Sequence, residues 1–178
     1  PRPLLEHFSE LHEIIRASTI LLVLATIVWA YGSDSLMRLW LDSLPLGAAS
    51  MNLSVYSPFE WLEIKWSMAI LLSILTIMPF ASFRLQRFAS PGLLPREQSW
   101  LNLILSISTI LIPMIVIICW VYFLPLLIET SQSVDHLEGV GSRYDASALF
   151  RLTIGLSWVM MCAMLATVTL SMARLLGL

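Results

Sequence analysis

From Gln98 to Ile128 the chain carries no charged residue. A helix of that length is longer than the roughly 20 residues needed to cross a hydrocarbon core about 30 Å thick. Three other blocks come close to the same standard, and they predict spans over about 14–31, 66–83, 99–128 and 152–173. A polar backbone cannot lie open in lipid, and the blocks lack the alternation of barrel strands, so helices are expected. The fold class expected is all-α: a polytopic membrane protein with about four transmembrane helices, forming a single membrane domain over 1–178. Composition agrees, with 58% hydrophobic and 12% charged residues, about half the charge of an ordinary soluble domain. The net charge of −2 offers no basic stripe for nucleic acid. Cys119 and Cys162 lie deep in apolar blocks and read as thiols facing lipid or helix.

Arginine and lysine set the orientation. With the N-terminus in the cytoplasm, the inner side holds Arg2, Arg16, Arg84, Arg87, Arg96 and Arg174. The outer side then holds Arg38, Lys65, Arg143 and Arg151 among eight acids. Both ends are expected to face the cytoplasm, in a cell membrane crossed several times.

The connecting segments carry further signals. Leu4, Phe8, Leu11 and Ile15 recur on one helical face and Glu6, Glu10 and Glu13 on another, predicting an interfacial helix over 1–16. About thirty residues separate the first two spans, a long first outer loop. Within it Leu36, Leu39, Trp40 and Leu44 form an amphipathic patch expected to lie on the outer membrane surface. Ser57-Pro58-Phe59-Glu60 has capping-box spacing, with Pro58 at the first helical position, so the second helix is expected to start there. Glu60, Glu63 and Lys65 would then ride on a protruding turn.

No catalytic constellation is present, so an enzyme is not expected. His7, His12 and His136 do not stand at metal-ligand spacing from Cys or carboxylates. There is no phosphate loop and no nucleophile elbow, so neither metal nor cofactor is expected. No ionised residue lies in the middle of a span, which argues against an ion or proton path built from these helices alone. The informative charges are Glu10, before the first span, and Glu97, at the start of the third. Each has an ordinary explanation. Glu97 suits a first helical turn electrostatically, and Glu10 suits the wet face of an amphipathic helix.

These residues resemble a known family. His7-Phe8-Ser9-Glu10-Leu11 is similar to the opening motif of TatC, the receptor subunit of the twin-arginine protein translocase. Pro79, the stretch Phe88-Ala89-Ser90-Pro91-Gly92-Leu93 and then Pro95-Arg96-Glu97 resemble that family's inner loop between helices two and three. Ser57-Pro58-Phe59 with Lys65, and Phe123-Leu124-Pro125, resemble its segments before helix two and at the end of helix three. The resemblance implies a receptor for signal peptides bearing two consecutive arginines, in a machine that exports folded proteins. It implies small single-span Tat subunits as partners and an oligomer in the bilayer. Arginine pairs bidentately with carboxylate in a way lysine cannot copy. Glu10 and Glu97 are therefore the expected signal-peptide ligands, with Phe88 and Pro91 beside them. Pro79, Pro95, Ser57 and Pro58 would shape the loops. Ser67, Ser73 and Thr76, or Thr153, Ser157 and Thr167, are candidate contacts for the small subunits, with intrahelical hydrogen bonding as the plainer reading.

Three departures stand out. His12 replaces the family's usual arginine, the fourth span has Val159 near where a Glu is usual, and helices five and six of six do not follow before Leu178. A divergent member, archaeal ones included, represented by its first four helices accounts for all three, and the chain is expected to be incomplete at its C-terminus. A paralogue that has lost part of the function accounts for the first two. The rival from another class is a transporter or channel subunit whose third helix is broken at Pro113 and lines a cavity.

Overall fold

A 3.6-residue phase carries straight through the first outer segment, and it decides how the N-terminal third folds. Ser33, Met37, Trp40 and Leu44 fall at i, i+4, i+7 and i+11, one continuous helical stripe. The computed structural model, which describes residues 4–44, 58–134 and 145–175, has a single helix α1 over Leu4–Ser43. The N-terminal amphipathic stretch leads into the first span without a break. One expectation is corrected: the segment from Leu36 to Leu44 does not form a separate surface patch. Met37, Trp40 and Leu44 are buried in the protein core, while Leu36 and Leu39 remain exposed.

Helix α2 runs over Pro58–Ala89, starting on the proline that needs no helical N–H partner. Pro79 lies inside α2, nearly three turns before its end, so it shapes the helix and not the loop after it. A 3₁₀ turn over Ser90–Gly92 then leads into α3, Pro95–Ile118, which has Pro95 at its start. Pro113 sits within α3 and the helix continues past it, so the break at that proline on which the rival transporter or channel reading drew is not present. The irregularity comes later, as a π-helical turn over Cys119–Phe123 followed directly by α4, Leu124–Val134. Pro125 explains the position. It has no N–H to donate, and its ring crowds the carbonyl four residues back, on Val121. Widening that turn relieves the clash, and the Leu124 N–H reaches Cys119 O instead. Helix α5, Ala146–Leu175, completes the bundle. Ser57 and the loop residues 135–144 lie outside the described residues.

Among the described residues, four helical stretches are long and apolar enough to cross a membrane: Ser9–Ser43, Phe59–Ala89, Pro95–Thr130 and Ala146–Ser171. The protein is an all-α, multi-pass membrane protein. "Inner" here denotes the end carrying Arg16, Arg84, Arg87, Arg96 and Arg174, and "outer" the end carrying Arg38, Lys65 and Arg151.

The two ends are built differently. At the outer end Trp40, Trp61, Trp120 and Phe150 interlock, with ring centroids 4.7 Å apart for Trp40–Trp120, 4.8 Å for Trp40–Phe150 and 5.7 Å for Trp61–Phe150. Two of their indoles find acceptors within the bundle. Trp40 Nε1 donates to Trp120 O at 3.0 Å, and Trp120 Nε1 donates to Ser157 Oγ at 2.9 Å. Four elements are thereby tied together where a buried N–H without an acceptor would cost about 1–3 kcal/mol. The charges of the expected protruding turn are paired as well. Lys65 Nζ meets Asp34 Oδ2 at 2.6 Å, and Arg151 reaches Glu60 and Glu63 at 3.4 and 3.5 Å.

The inner half is looser. There α1 lies mainly along α2, with Trp29 Nε1 donating to Thr76 Oγ1 at 3.0 Å, and no residue of its most apolar stretch is buried. Small residues let the other helices approach closely. Ser73, Thr153 and Ser157 are fully buried and return their hydroxyls to carbonyls of their own helices. They are therefore closed to a partner's helix, whereas Thr167 is exposed and bonded to Ala163 O.

Candidate functional site

Residues three and four apart share a helix face, and two such faces meet at the inner end. From α1 come Glu10, Glu13 and Ile14; from α2 come Phe80, Phe83, Arg84, Arg87 and Phe88; Pro91 of the 3₁₀ turn closes the group. They line an open cleft of about 600 Å³. Glu10, Arg84 and Phe88 are half-buried, while Glu13, Arg87 and Pro91 are exposed. The Arg84 guanidinium lies 4.8 Å from the Phe80 ring centre, a cation–π contact that holds it against the wall. Glu10 and Phe88 are themselves engaged in contacts within the protein. The cleft thus offers two carboxylates, two guanidiniums and an apolar aromatic wall at the level of the lipid headgroups.

Three of the four expected ligand residues come together here: Glu10, Phe88 and Pro91. Glu97 is not on the cleft wall. It sits half-buried in the first turn of α3, where its Oε2 accepts the Leu94 N–H at 3.0 Å. That contact satisfies one of the orphan donors of a helix start and places a negative charge at the positive end of the helix dipole. Packing accounts for the absence of Glu97 from the cleft wall. Both α1 and α3 pack on α2, and between them lies a second cavity, about 520 Å³ and almost entirely apolar. Leu11, Ile15 and Leu22 of α1 face Leu105 and Ser108 of α3 and Met161 and Leu165 of α5 across it. Ile14 belongs to both walls, so it divides the charged cleft from the apolar one.

Sequence reasoning had no place in the site for Glu13, Phe80 or Phe83. Glu13 could have been found, because it stands one turn after Glu10 on the same face. The phenylalanines could not, because any apolar residue of α2 would read as lipid-facing until the α1–α2 pairing is known. Pro58 opens α2 at the far end of the bundle and Pro95 opens α3, so both act on chain direction and not on the cleft. Of the departures, His12 is exposed on α1, and Val159 is 64% exposed on α5.

At the outer end Asp145 caps α5. The Ser147 hydroxyl donates to its Oδ1 at 2.7 Å and the Ser147 N–H at 2.9 Å. The Ser147 hydroxyl first, then the backbone N–H groups of Ser147 and Ala148 and the charge of Arg151, hold this carboxyl below the usual aspartate range against a smaller opposing effect of burial.

Comparison with known proteins decides the family. The profile described as Sec-independent protein translocase protein (TatC) matches residues 6–178. The chain belongs to the TatC family. A Sec-independent protein translocase protein TatC of Carboxydothermus hydrogenoformans is 28% identical over 111 residues, 62% of this chain and 45% of that protein. One from Methanocella arvoryzae is 28% identical over 109 residues, 60% of this chain and 43% of that protein. The matched stretch spans less than half the length of either relative, and no solved structure matches. TatC is a transport family and not a catalytic one.

Proposed function

We propose that this TatC-family chain receives signal peptides with two adjacent arginines at its inner face, as part of a membrane translocase for folded proteins. The observation that carries the reading is the cleft of Glu10, Glu13, Phe88 and Pro91 between α1 and α2. Two acids one helical turn apart stand about 5–6 Å from each other, a spacing that neighbouring guanidiniums can bridge. Each hydrogen bond to a charged group contributes about 1.5–3 kcal/mol, and more where lipid limits water. Phe80, Phe83 and Phe88 supply an apolar wall for the side chains beside the arginines. Arg84 and Arg87 repel a loosely basic segment, so charge alone does not suffice and the planar guanidinium fork is selected over lysine.

Glu97 keeps a part in this reading as an acid on the neighbouring rim. Its cap to Leu94 uses one acceptor position of a carboxylate that has about four. Small single-span Tat subunits and further copies of the chain are the partners the family implies, and the exposed face of α5 has room for one. The test is crosslinking of an arginine–arginine signal peptide to the chain in membranes, beside a lysine–lysine control. Glu10→Gln is expected to lower the yield about tenfold or more, the equivalent of one lost charged hydrogen bond. Glu97→Gln is expected to lower it less. Undiminished crosslinking in both variants would remove the receptor reading.

A further inference from the structure

We propose that a pocket at the opposite, outer end of the bundle seats the phosphate headgroup of an anionic phospholipid. It lies between α1 and α2, has a volume of about 310 Å³, and is lined by Asp34, Arg38, Trp61, Leu62 and Lys65. Asp34 and Arg38 are one turn apart on α1, and Trp61 and Lys65 one turn apart on α2, so two short faces of antiparallel neighbours make the whole site.

The walls are fixed before any ligand arrives. Lys65 is held by Asp34 at 2.6 Å, and Trp61 stands edge-on to the buried ring of Phe150. Arg38 is exposed, and its guanidinium forms no ion pair or hydrogen bond with the described residues. Arg38 and Lys65 against Asp34 leave a formal charge of about +1, which matches the single negative charge of a phosphodiester. A zwitterionic headgroup would bring its own cation against Arg38 and Lys65. A glycerol headgroup instead offers hydroxyls that Asp34 can accept.

The level of the pocket points to lipid and not to a free anion. Asp34 lies twenty residues along α1 from Ile14 of the inner cleft, and Lys65 nineteen along α2 from Arg84. At 1.5 Å per residue both separations are roughly 30 Å, the thickness of a hydrocarbon core. The pocket therefore opens at the outer headgroups, where tryptophan is at home; basic pockets between helices hold anionic headgroups at the cytoplasmic side of membranes, and the same pairing of phosphate with Arg and Lys operates here. Leu39, Leu62 and Trp66, 69%, 51% and 48% exposed, give the acyl chains an apolar rim that a small anion would not use. None of this depends on the peptide cleft at the other end.

The full chain in phosphatidylcholine vesicles, doped with spin-labelled phosphatidylglycerol or spin-labelled phosphatidylcholine, gives the test. The fraction of motionally restricted label measures selectivity. Phosphatidylglycerol is expected to be preferred, and Arg38→Gln to cut that preference about threefold or more. Arg174→Gln, which removes the same charge from the exposed inner end of α5, is expected to change it far less. Because Arg38 is exposed, loss of folding does not confuse the result, and unchanged tryptophan fluorescence checks this. No change in Arg38→Gln, or an equal loss in Arg174→Gln, overturns the site. Displacement of the label by glycerophosphate as readily as by phosphatidylglycerol overturns the lipid assignment.

Discussion

Truncating Phe150 to alanine tests whether the outer aromatic cluster is what holds the four spans together. Phe150 is fully buried, and its ring meets Trp40, Trp61 and Trp120 with centroids 4.8, 5.7 and 6.3 Å away. In a water-soluble core the change costs about 3–5 kcal/mol. Part of that cost is transfer of the ring from water, which largely vanishes when the separated helices are still solvated by lipid. What remains is the void left behind and three aromatic contacts worth about 0.5–1.5 kcal/mol each. The expected loss is therefore about 2–4 kcal/mol. Titration of the detergent-solubilised chain with a denaturing detergent, followed by tryptophan fluorescence, reads it directly because three of the four rings are indoles. Phe59→Ala is the reference, since that ring is 83% exposed and its loss is expected to cost less than about 0.5 kcal/mol. If the two variants unfold together, the cluster is not the keystone and the polar ties across the outer end must carry the fold.

Two more outcomes follow from named contacts. Asp145 has its pKa depressed in the folded chain, so its contribution is present above the unfolded value of about 3.9 and is lost as pH falls through the lower folded value. Thermal unfolding measured from neutral pH downwards is expected to show this loss only at the acid end, and Asp145→Asn to flatten that part of the profile. Glu97→Ala removes the acceptor of the Leu94 N–H and is expected to destabilise the start of α3 by about 0.5–1 kcal/mol, seen as faster amide exchange at Leu94 and residues 96–98; Glu97→Gln restores most of the protection.

The spans were legible because their signal is one of solvent: runs free of charge, such as Gln98–Ile128, have few alternatives in lipid. Their ends were harder. The first span was expected to end near Tyr31, yet α1 continues because Ser33, Met37, Trp40 and Leu44 keep its phase and are buried, with Trp40 against Trp120 and Phe150. That partner set lies some eighty or more residues away in sequence, so hydropathy alone could not reveal it. Pro113 and Pro125 look alike in the sequence, but only the second is answered by a π turn. In the candidate site, the motif resemblance named Glu10, Phe88 and Pro91, which line one cleft. That Glu97 lies off its wall was not legible, because sequence gives no measure of how α1 and α3 sit on either side of Ile14 and α2.

That long first helix is mounted like a beam clamped at one end. Trp40 and Lys65 tie it to its neighbours near the outer surface, while its inner half rests mainly on α2, beside an apolar hollow. Bending or swinging of such a beam accumulates with distance from the clamp, and Glu10 sits about 45 Å along the axis from Trp40. The acid most involved in the proposed recognition is thus carried at the far end of a lever, where a small rotation at the tryptophans is expected to change the width of the cleft.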